Sequence, residues 1–187
     1  FYGTLVDWLS IWNKVSERIV NENNLGISHL KFTLEWRKTQ RELFEEKEFV
    51  AFKECITLAL LQICKKYNIE NKSYENVLFD TWKEIKPFHE VPSTLKKLKA
   101  AYKIAICSNS SRDLFDLCVA KLPVEFDYVF ISDEVRVTKP NPKIYQEAVR
   151  SFGLHPKNIL HIASSQMDVQ GATNAGFVVC WINRLNE

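Results

Sequence analysis

The spacing of apolar residues divides the chain into two regions. From about Leu9 to Trp82, apolar residues recur every three or four positions, most clearly in the segments 27–44 and 48–67. This spacing is typical of amphipathic helices, and the region contains no proline and a single glycine, Gly26. The pattern therefore predicts a region built from helices.

Downstream of residue 86 the pattern changes to short apolar runs that alternate with helical segments. The runs are Lys103–Cys107, Tyr128–Ser132, Ile159–Ala163 and Val178–Ile182. Continuous apolar strands separated by helices indicate βαβ units and a parallel sheet covered on both faces. We therefore predict an α/β protein with a Rossmann-like parallel-sheet core.

The helical region interrupts this core. The stretch Tyr2–Leu5 resembles a loop that follows a buried strand, so we expect a core strand upstream of Phe1. The predicted core comprises residues 1–8 and 86–187, and the predicted helical cap comprises residues 9–85.

The composition and charge of the chain limit the classes of function that it can have. The chain has 187 residues and a net charge of +2, which is too small to favour a nucleic-acid or membrane surface. It has no apolar stretch of the ~20 residues that a membrane span needs, and no signal peptide is visible. Five cysteines without paired spacing indicate buried thiols in a reducing compartment, so we expect a cytoplasmic protein. The four scattered histidines give no metal-binding spacing.

Polar residues follow three of the apolar runs. Ligands of open α/β sheets gather beyond the carboxyl ends of the strands, so we examined Ser108, Asn109, Lys139 and the segment Ser164–Asp168. A capped turn explains the serines equally well, and Lys139 could be a surface residue of a turn before a helix capped by Asn141. Asp168 could be a first-turn acid of a helix, or it could pair with Lys139.

Together these residues resemble the haloacid dehalogenase superfamily. The resemblance lies in Tyr2-Gly3-Thr4-Leu5, Ser108-Asn109, Lys139-Pro140 and Ser164–Asp168. The chain looks more narrowly like the L-2-haloacid dehalogenase group, because Trp36-Arg37 with Gln40 fits a helix motif of that group. The spacing from Lys139 to Tyr145 and the stretch GFVVCWINR fit it as well.

The resemblance implies a nucleophile outside the printed sequence. The first motif of the family is Asp-x-Tyr-Gly-Thr-Leu, and its aspartate attacks the substrate. Aligned on Tyr2, that aspartate would directly precede Phe1, at the tip of the central strand. The family also has a segment beyond the position of Glu187. We therefore expect the chain to be a trimmed copy of a longer protein.

The resemblance also implies roles for individual residues. Arg37 and Asn109 would receive the halide, with Phe52 beside them, and Ser108 and Tyr2 would line the substrate site. A surface position for Arg37 and ordinary core packing for Phe52 remain the alternative interpretations. The residues expected to keep the nucleophile charged and to position the hydrolytic water are Thr4, Lys139, Tyr145, Ser164, Ser165 and Asp168.

The expected reaction is cleavage of a carbon–halogen bond in a 2-haloalkanoic acid through an aspartyl ester, with no metal and no cofactor. The last motif departs from the family, because Ser165 replaces an asparagine and Met167 an aromatic residue, and Arg41 replaces a common apolar residue. A magnesium-dependent phosphatase of the same superfamily and a non-catalytic member are the alternatives. We expect a small-molecule 2-haloacid as the binding partner. The long helices offer apolar surface that a second copy of the chain could cover, so a homodimer remains an alternative.

Overall fold

The structure is a computed structural model that describes residues 1–45, 49–70 and 73–184. Glu48, the first residue of the second predicted helical segment, and Glu187 lie outside these ranges. The chain divides into two compact units. One unit is Trp8–Lys86, and the other contains Phe1–Asp7 and the described residues from Pro87 onward. No helix in the described ranges is long and apolar enough to cross a membrane.

The unit Trp8–Lys86 is helical, as its spacing predicts. Trp12 and Trp36 are fully buried and stack with ring centroids 3.9 Å apart, and the Trp36 Nε1 donates to the Ile56 carbonyl at 3.2 Å. Trp36 is therefore a core residue of this unit. The helices of this unit are α1 (Trp8–Glu22), α2 (His29–Glu45), α3 (Phe52–Lys66) and α4 (Tyr74–Trp82).

The second unit alternates strands and helices, which confirms the α/β prediction. Its four described strands coincide with the four apolar runs. Its helices are α5 (Val91–Ala101), α6 (Arg112–Val119), α7 (Ser132–Val135), α8 (Pro142–Phe152) and α9 (Gln166–Asn174), with a 3₁₀ turn at Pro156–Asn158. Its strands are β1 (Ala105–Ser108), β2 (Tyr128–Ile131), β3 (Leu160–Ala163) and β4 (Val178–Trp181).

The strands form two parallel pairs in the described residues, where the sequence predicts one sheet. Strand β1 pairs with β2 in the register Ser108 opposite Ile131, and β3 pairs with β4 in the register Ala163 opposite Trp181. Ser108 ends β1 and Asn109 follows it, Ser164–Asp168 follows β3, and Lys139 lies in the loop between α7 and α8.

Local sequence explains how helix α8 begins. Asn141 is its N-cap and accepts a hydrogen bond from the Lys143 amide at 3.0 Å, with Pro142 in the first turn, as predicted. The helix buries Ile144 and Tyr145 against Ala172 and Phe177 in one apolar cluster. This cluster fixes Tyr145 at the base of the candidate site.

The first loop turns sharply at Gly3, whose φ of +77° lies in the left-handed region that glycine adopts readily. The Gly3 amide donates to the Val6 carbonyl at 2.9 Å, and the Leu5 amide donates to the Phe1 carbonyl at 2.8 Å. The Leu5 carbonyl in turn accepts from the Phe88 amide at 3.1 Å. The turn thereby buries Thr4, which is 4% exposed.

Candidate active site

The backbone of Lys139 is held by the side chain of Asn109. The Asn109 Oδ1 accepts from the Lys139 amide at 2.7 Å, and the Asn109 Nδ2 donates to the Lys139 carbonyl at 3.1 Å. This two-point contact fixes the loop before α8 to the tip of β1. Asn109 therefore has a structural function that the sequence did not predict, and its role toward a halide stays a prediction.

The Lys139 ammonium lies inside the core, where it forms an ion pair with Asp168 Oδ2. It also donates to the Cys107 carbonyl at 3.0 Å. The predicted pairing of Lys139 with Asp168 is thereby confirmed. The alternative prediction, that Lys139 is a surface residue of a turn, is wrong. Asn109 holds the Lys139 backbone at the tip of β1, and Asp168 follows the tip of β3, so residues 29 positions apart meet.

Electrostatics keep both members of this pair charged. Burial alone would raise the pKa of Asp168, but the Lys139 ammonium and the hydrogen bond from His161 outweigh it, so the pKa lies below its ordinary value. Burial would lower the pKa of Lys139, and the Asp168 carboxylate outweighs it, so that pKa is raised. A permanent positive charge is therefore held in a dry environment.

Tyr145 completes the hydrogen bonding of Asp168. Its hydroxyl donates to Asp168 Oδ1 at 2.8 Å. Burial first, and then the Asp168 charge, raise the pKa of Tyr145 far above its ordinary value. Tyr145 therefore acts as a hydrogen-bond donor to Asp168, and its role in the reaction stays a prediction.

His161 is a member of this cluster that the sequence analysis missed. It lies on β3, and its Nε2 is 3.0 Å from Asp168 Oδ1. Its ring also packs on Tyr145 and Phe177, with centroids 5.9 and 6.0 Å away. In the sequence, the feature that could have indicated this role is that His161 is the one polar side chain inside the apolar run Ile159–Ala163.

Gly171 is a second residue that the sequence analysis missed. A Cβ on Gly171 would lie 2.6 Å from the Tyr145 hydroxyl and 3.0 Å from Pro140 Cβ. Only a residue without a side chain lets α9 approach the loop after Lys139 so closely.

The serines and threonine of the first and last motifs meet at the same edge. The Thr4 hydroxyl donates to the Ser164 hydroxyl at 3.3 Å, and the Ser164 carbonyl accepts from the Trp181 indole at 3.1 Å. Ser165 is exposed at the N-cap of α9, and Asp168 lies in the first turn of that helix. Thr4 and Ser164 are thus brought together, whereas the structure gives no contact that defines a role for Ser165.

Tyr2 and Ser108 are placed by polar contacts of their own. The Tyr2 hydroxyl is 2.7 Å from the Ser110 hydroxyl, and burial raises the pKa of Tyr2 well above its ordinary value, so the group stays protonated. Ser108 is 2% exposed and donates to the Asn109 carbonyl at 3.3 Å. Their roles toward a substrate stay predictions.

Arg37 and Phe52 belong to the helical unit. The half-buried Arg37 places its guanidinium 5.3 Å from the centre of the Trp8 ring, a cation–π contact. Phe52 is 5% exposed and packs between Phe44 and Trp82, with ring centroids 6.1 and 6.4 Å away. These contacts explain Phe52 as a core residue, so packing alone accounts for it. The roles of Arg37 and Phe52 toward a halide stay predictions.

The nitrogen of Phe1 lies close to the charged pair. Phe1 is buried, and its nitrogen is near enough to Lys139 and Asp168 for both of their charges to act on it. Burial raises the pKa of the nearby Cys107 thiol to about 11, so this cysteine is not a ready thiolate nucleophile. Within residues 1–45, 49–70 and 73–184, no group of three or more His, Cys, Asp or Glu is arranged to hold a metal ion.

Comparisons with known proteins agree with this geometry. A profile of the haloacid dehalogenase-like hydrolase family matches residues 1–182. The chain is 33% identical over 191 residues to an (S)-2-haloacid dehalogenase of Pseudomonas sp. (strain YL), with 98% of this chain and 80% of that protein covered.

Solved structures give the same result. An L-2-haloacid dehalogenase of Xanthobacter autotrophicus is 28% identical to the chain with a TM-score of 0.84, and the match covers 98% of this chain and 75% of that one. A structure of that enzyme with chloropropionic acid covalently bound matches with the same identity and coverage and a TM-score of 0.82. The chain belongs to the haloacid dehalogenase-like hydrolase family.

Proposed function

We propose that the protein hydrolyses the carbon–halogen bond of (S)-2-haloalkanoic acids. The observation that carries the proposal is the buried Lys139–Asp168 pair beside the nitrogen of Phe1. The curated relative from Pseudomonas and the structural relative from Xanthobacter are named as dehalogenases of this substrate class.

The first step is a displacement by a carboxylate. The aspartate expected directly before Phe1 attacks C2 of the substrate, a carbon–oxygen bond forms, and the carbon–halogen bond breaks with release of halide. Lys139 keeps that aspartate ionised, because an ammonium within a few ångströms in a dry site favours the charged carboxylate. Asp168 and Tyr145 hold the ammonium in place.

The second step is hydrolysis of the ester. Water attacks the carboxyl carbon of the aspartate, which releases a 2-hydroxy acid and a proton and regenerates the carboxylate. The Thr4–Ser164 hydroxyl pair lies at the edge of the sheet where this water is needed. Ser108 and Tyr2 would bind the substrate, and Arg37 and Asn109 would serve the leaving halide.

The alternative of a magnesium-dependent phosphatase lacks a supporting observation. Magnesium binds carboxylate oxygens, usually from more than one ligand. Here both oxygens of Asp168 are already engaged, by Lys139 on one side and by Tyr145 and His161 on the other.

The test is halide release by protein expressed from the complete natural gene. Both enantiomers of 2-chloropropionate are assayed, with and without a chelator, and a phosphate ester is assayed in parallel. We expect chloride and lactate from the (S)-enantiomer, unaffected by chelation. Folded protein that releases no chloride from either enantiomer, or a phosphatase activity that chelation stops, would refute the proposal.

A further inference from the structure

His161 contacts the central carboxylate from the side opposite to Lys139. Asp168 Oδ2 pairs with Lys139, whereas Oδ1 accepts from the Tyr145 hydroxyl at 2.8 Å and lies 3.0 Å from His161 Nε2. The terminal torsion of an aspartate is intrinsically broad, so the donors that contact its two oxygens set the plane of the carboxylate. A second donor on Oδ1 fixes the plane of the carboxylate.

We propose that His161 is a positioning residue for the reaction, whose Nε2–H orients the Asp168 carboxylate so that Oδ2 directs the Lys139 ammonium toward the nucleophile. This proposal rests on the dehalogenase function proposed above. It assigns a task to a residue that the sequence analysis treated as one of four scattered histidines.

The surroundings of the ring support a fixed hydrogen-bond donor. The His161 side chain is 12% exposed, and it is packed between Tyr145 from α8 and Phe177 before β4. The titratable groups that face it are Asp168 from α9 and Tyr145, with Lys139 behind the carboxylate. A bare Nε2 would direct its lone pair at a charged oxygen, so the arrangement requires hydrogen on Nε2.

Two substitutions separate the hydrogen bond from the packing. Phenylalanine keeps the ring contacts but has no donor, whereas glutamine places an amide near the position of Nε2. In His161→Phe we expect kcat for halide release to fall roughly tenfold with unchanged KM, as for loss of a hydrogen bond to a charged group. The thermal midpoint should fall only slightly, because the ring packing is retained and the Tyr145 hydroxyl still donates to Asp168 Oδ1.

His161→Gln should recover most of the parental kcat, and the control His155→Gln, at an exposed histidine, should leave kcat unchanged. If the role of His161 were merely structural, the thermal midpoint of His161→Phe would lie well below that of the parent, and glutamine would not restore kcat. A parental kcat in His161→Phe, or a kcat in His161→Gln as low as that of His161→Phe, would overturn the proposal.

A second measurement does not depend on turnover. Nitrogen-15 NMR of the parent at alkaline pH reports which ring nitrogen of His161 carries hydrogen, with His161→Phe used to assign the signal. We expect the Nε2–H form, and the Nδ1–H form would overturn the proposal. Absence of halide release by the parent would instead refute the dehalogenase function, so the two failures are distinguishable.

Discussion

In the unit that contains the candidate site, lysine–aspartate contacts lie at both ends of the described strands, with Asp127 paired to Lys99 and, at 3.4 Å, to Lys103 at one end, and Asp168 paired to Lys139 at the other. Asp127 lies directly before β2, where it accepts from the Lys99 ammonium at 2.7 Å and from the Ile104 amide at 2.9 Å. Asp168 lies beyond the carboxyl end of β3 and pairs with Lys139. The side chain of Lys99 is 33% exposed, whereas that of Lys139 is 10% exposed.

The difference in burial gives the two pairs different functions. Exposed ion pairs contribute little to stability, and the Asp127 hydrogen bond to Ile104 ties the start of β2 to the start of β1. Burial of an ion pair has a large desolvation cost, which the attraction between the two charges offsets only when the geometry is good. A buried pair is therefore weak evidence for stability. Under the proposed function, the Lys139–Asp168 pair supplies the fixed charge that the reaction needs.

Removal of the buried ammonium should have the largest effect. Lys139→Met should lower kcat for halide release at least about a hundredfold, because the nucleophile loses the charge that keeps it ionised. It should also lower the free energy of unfolding by about 3 kcal/mol, since Asp168 is left charged and unpaired in the core. Steady-state kinetics and urea unfolding measure the two effects.

The double variant Lys139→Met/Asp168→Leu separates chemistry from stability. Replacement of both charges should restore most of the unfolding free energy, because no unpaired charge remains, while activity stays as low as in the single variant. Recovery of activity in the double variant would show that Lys139 serves only to neutralise Asp168.

Gly171→Ala should have the next largest effect. Alanine is normally the better residue inside a helix, but its Cβ would lie 2.6 Å from the Tyr145 hydroxyl, so Tyr145 or α9 must shift. We expect a loss of about 1–3 kcal/mol in unfolding free energy and a fall in kcat. The matched control Gly26→Ala, where a Cβ meets nothing within 4 Å, should leave kcat at the parental value. A parental kcat in Gly171→Ala would contradict the close packing.

The pH dependence of stability should separate the two pairs further. The pKa of Asp168 is lowered, so its stabilisation is present above the ordinary value of about 3.9 and is lost as pH falls through the folded value. The pKa of Lys139 is raised, so its share is present below about 10.4 and is lost at higher pH. The stability difference between parent and Asp168→Asn should therefore be constant between about pH 4 and 10 and shrink outside that window.

Urea unfolding at a series of pH values measures that difference. Asp127→Asn should show the same acid limb, because the pKa of Asp127 is also lowered, by Lys99 first and then by the Ile104 amide. Its amplitude should be smaller, since the pair is more exposed. An equal amplitude in both variants would contradict the assignment of the buried pair to the site.

Lys99→Met should have the smallest effect. The lost ion pair is partly exposed, and the Ile104 amide still binds Asp127. We expect halide-release kinetics equal to those of the parent and a thermal midpoint close to the parental one. A loss of activity comparable to that of Lys139→Met would remove the distinction between the two ends of the strands.

The sequence predicted what depends on periodicity and on the convergence of strand ends. Each of the four apolar runs contains most of a strand, Asn141 caps α8, and Lys139 pairs with Asp168. Such features follow from local patterns and from the geometry of parallel sheets.

The remaining features depend on contacts between distant residues. The clamp of Asn109 on the Lys139 backbone joins positions 30 residues apart and leaves no local pattern. His161 reads as a core residue until its orientation toward Asp168 is known, and Gly171 reads as a poor helix residue until its distance to Tyr145 is measured. Burial of Phe52 between two aromatic rings likewise required the folded helices.

The most direct test of the central claim is a single turnover in water labelled with oxygen-18. Protein from the complete gene, in excess over (S)-2-chloropropionate, is digested, and the peptide that contains Tyr2–Leu5 is analysed by mass spectrometry. An ester opened at the aspartate carboxyl carbon places the label in that peptide and leaves the lactate unlabelled. Label in the lactate alone would show that water attacks the substrate directly, which contradicts a carboxylate nucleophile held by Lys139.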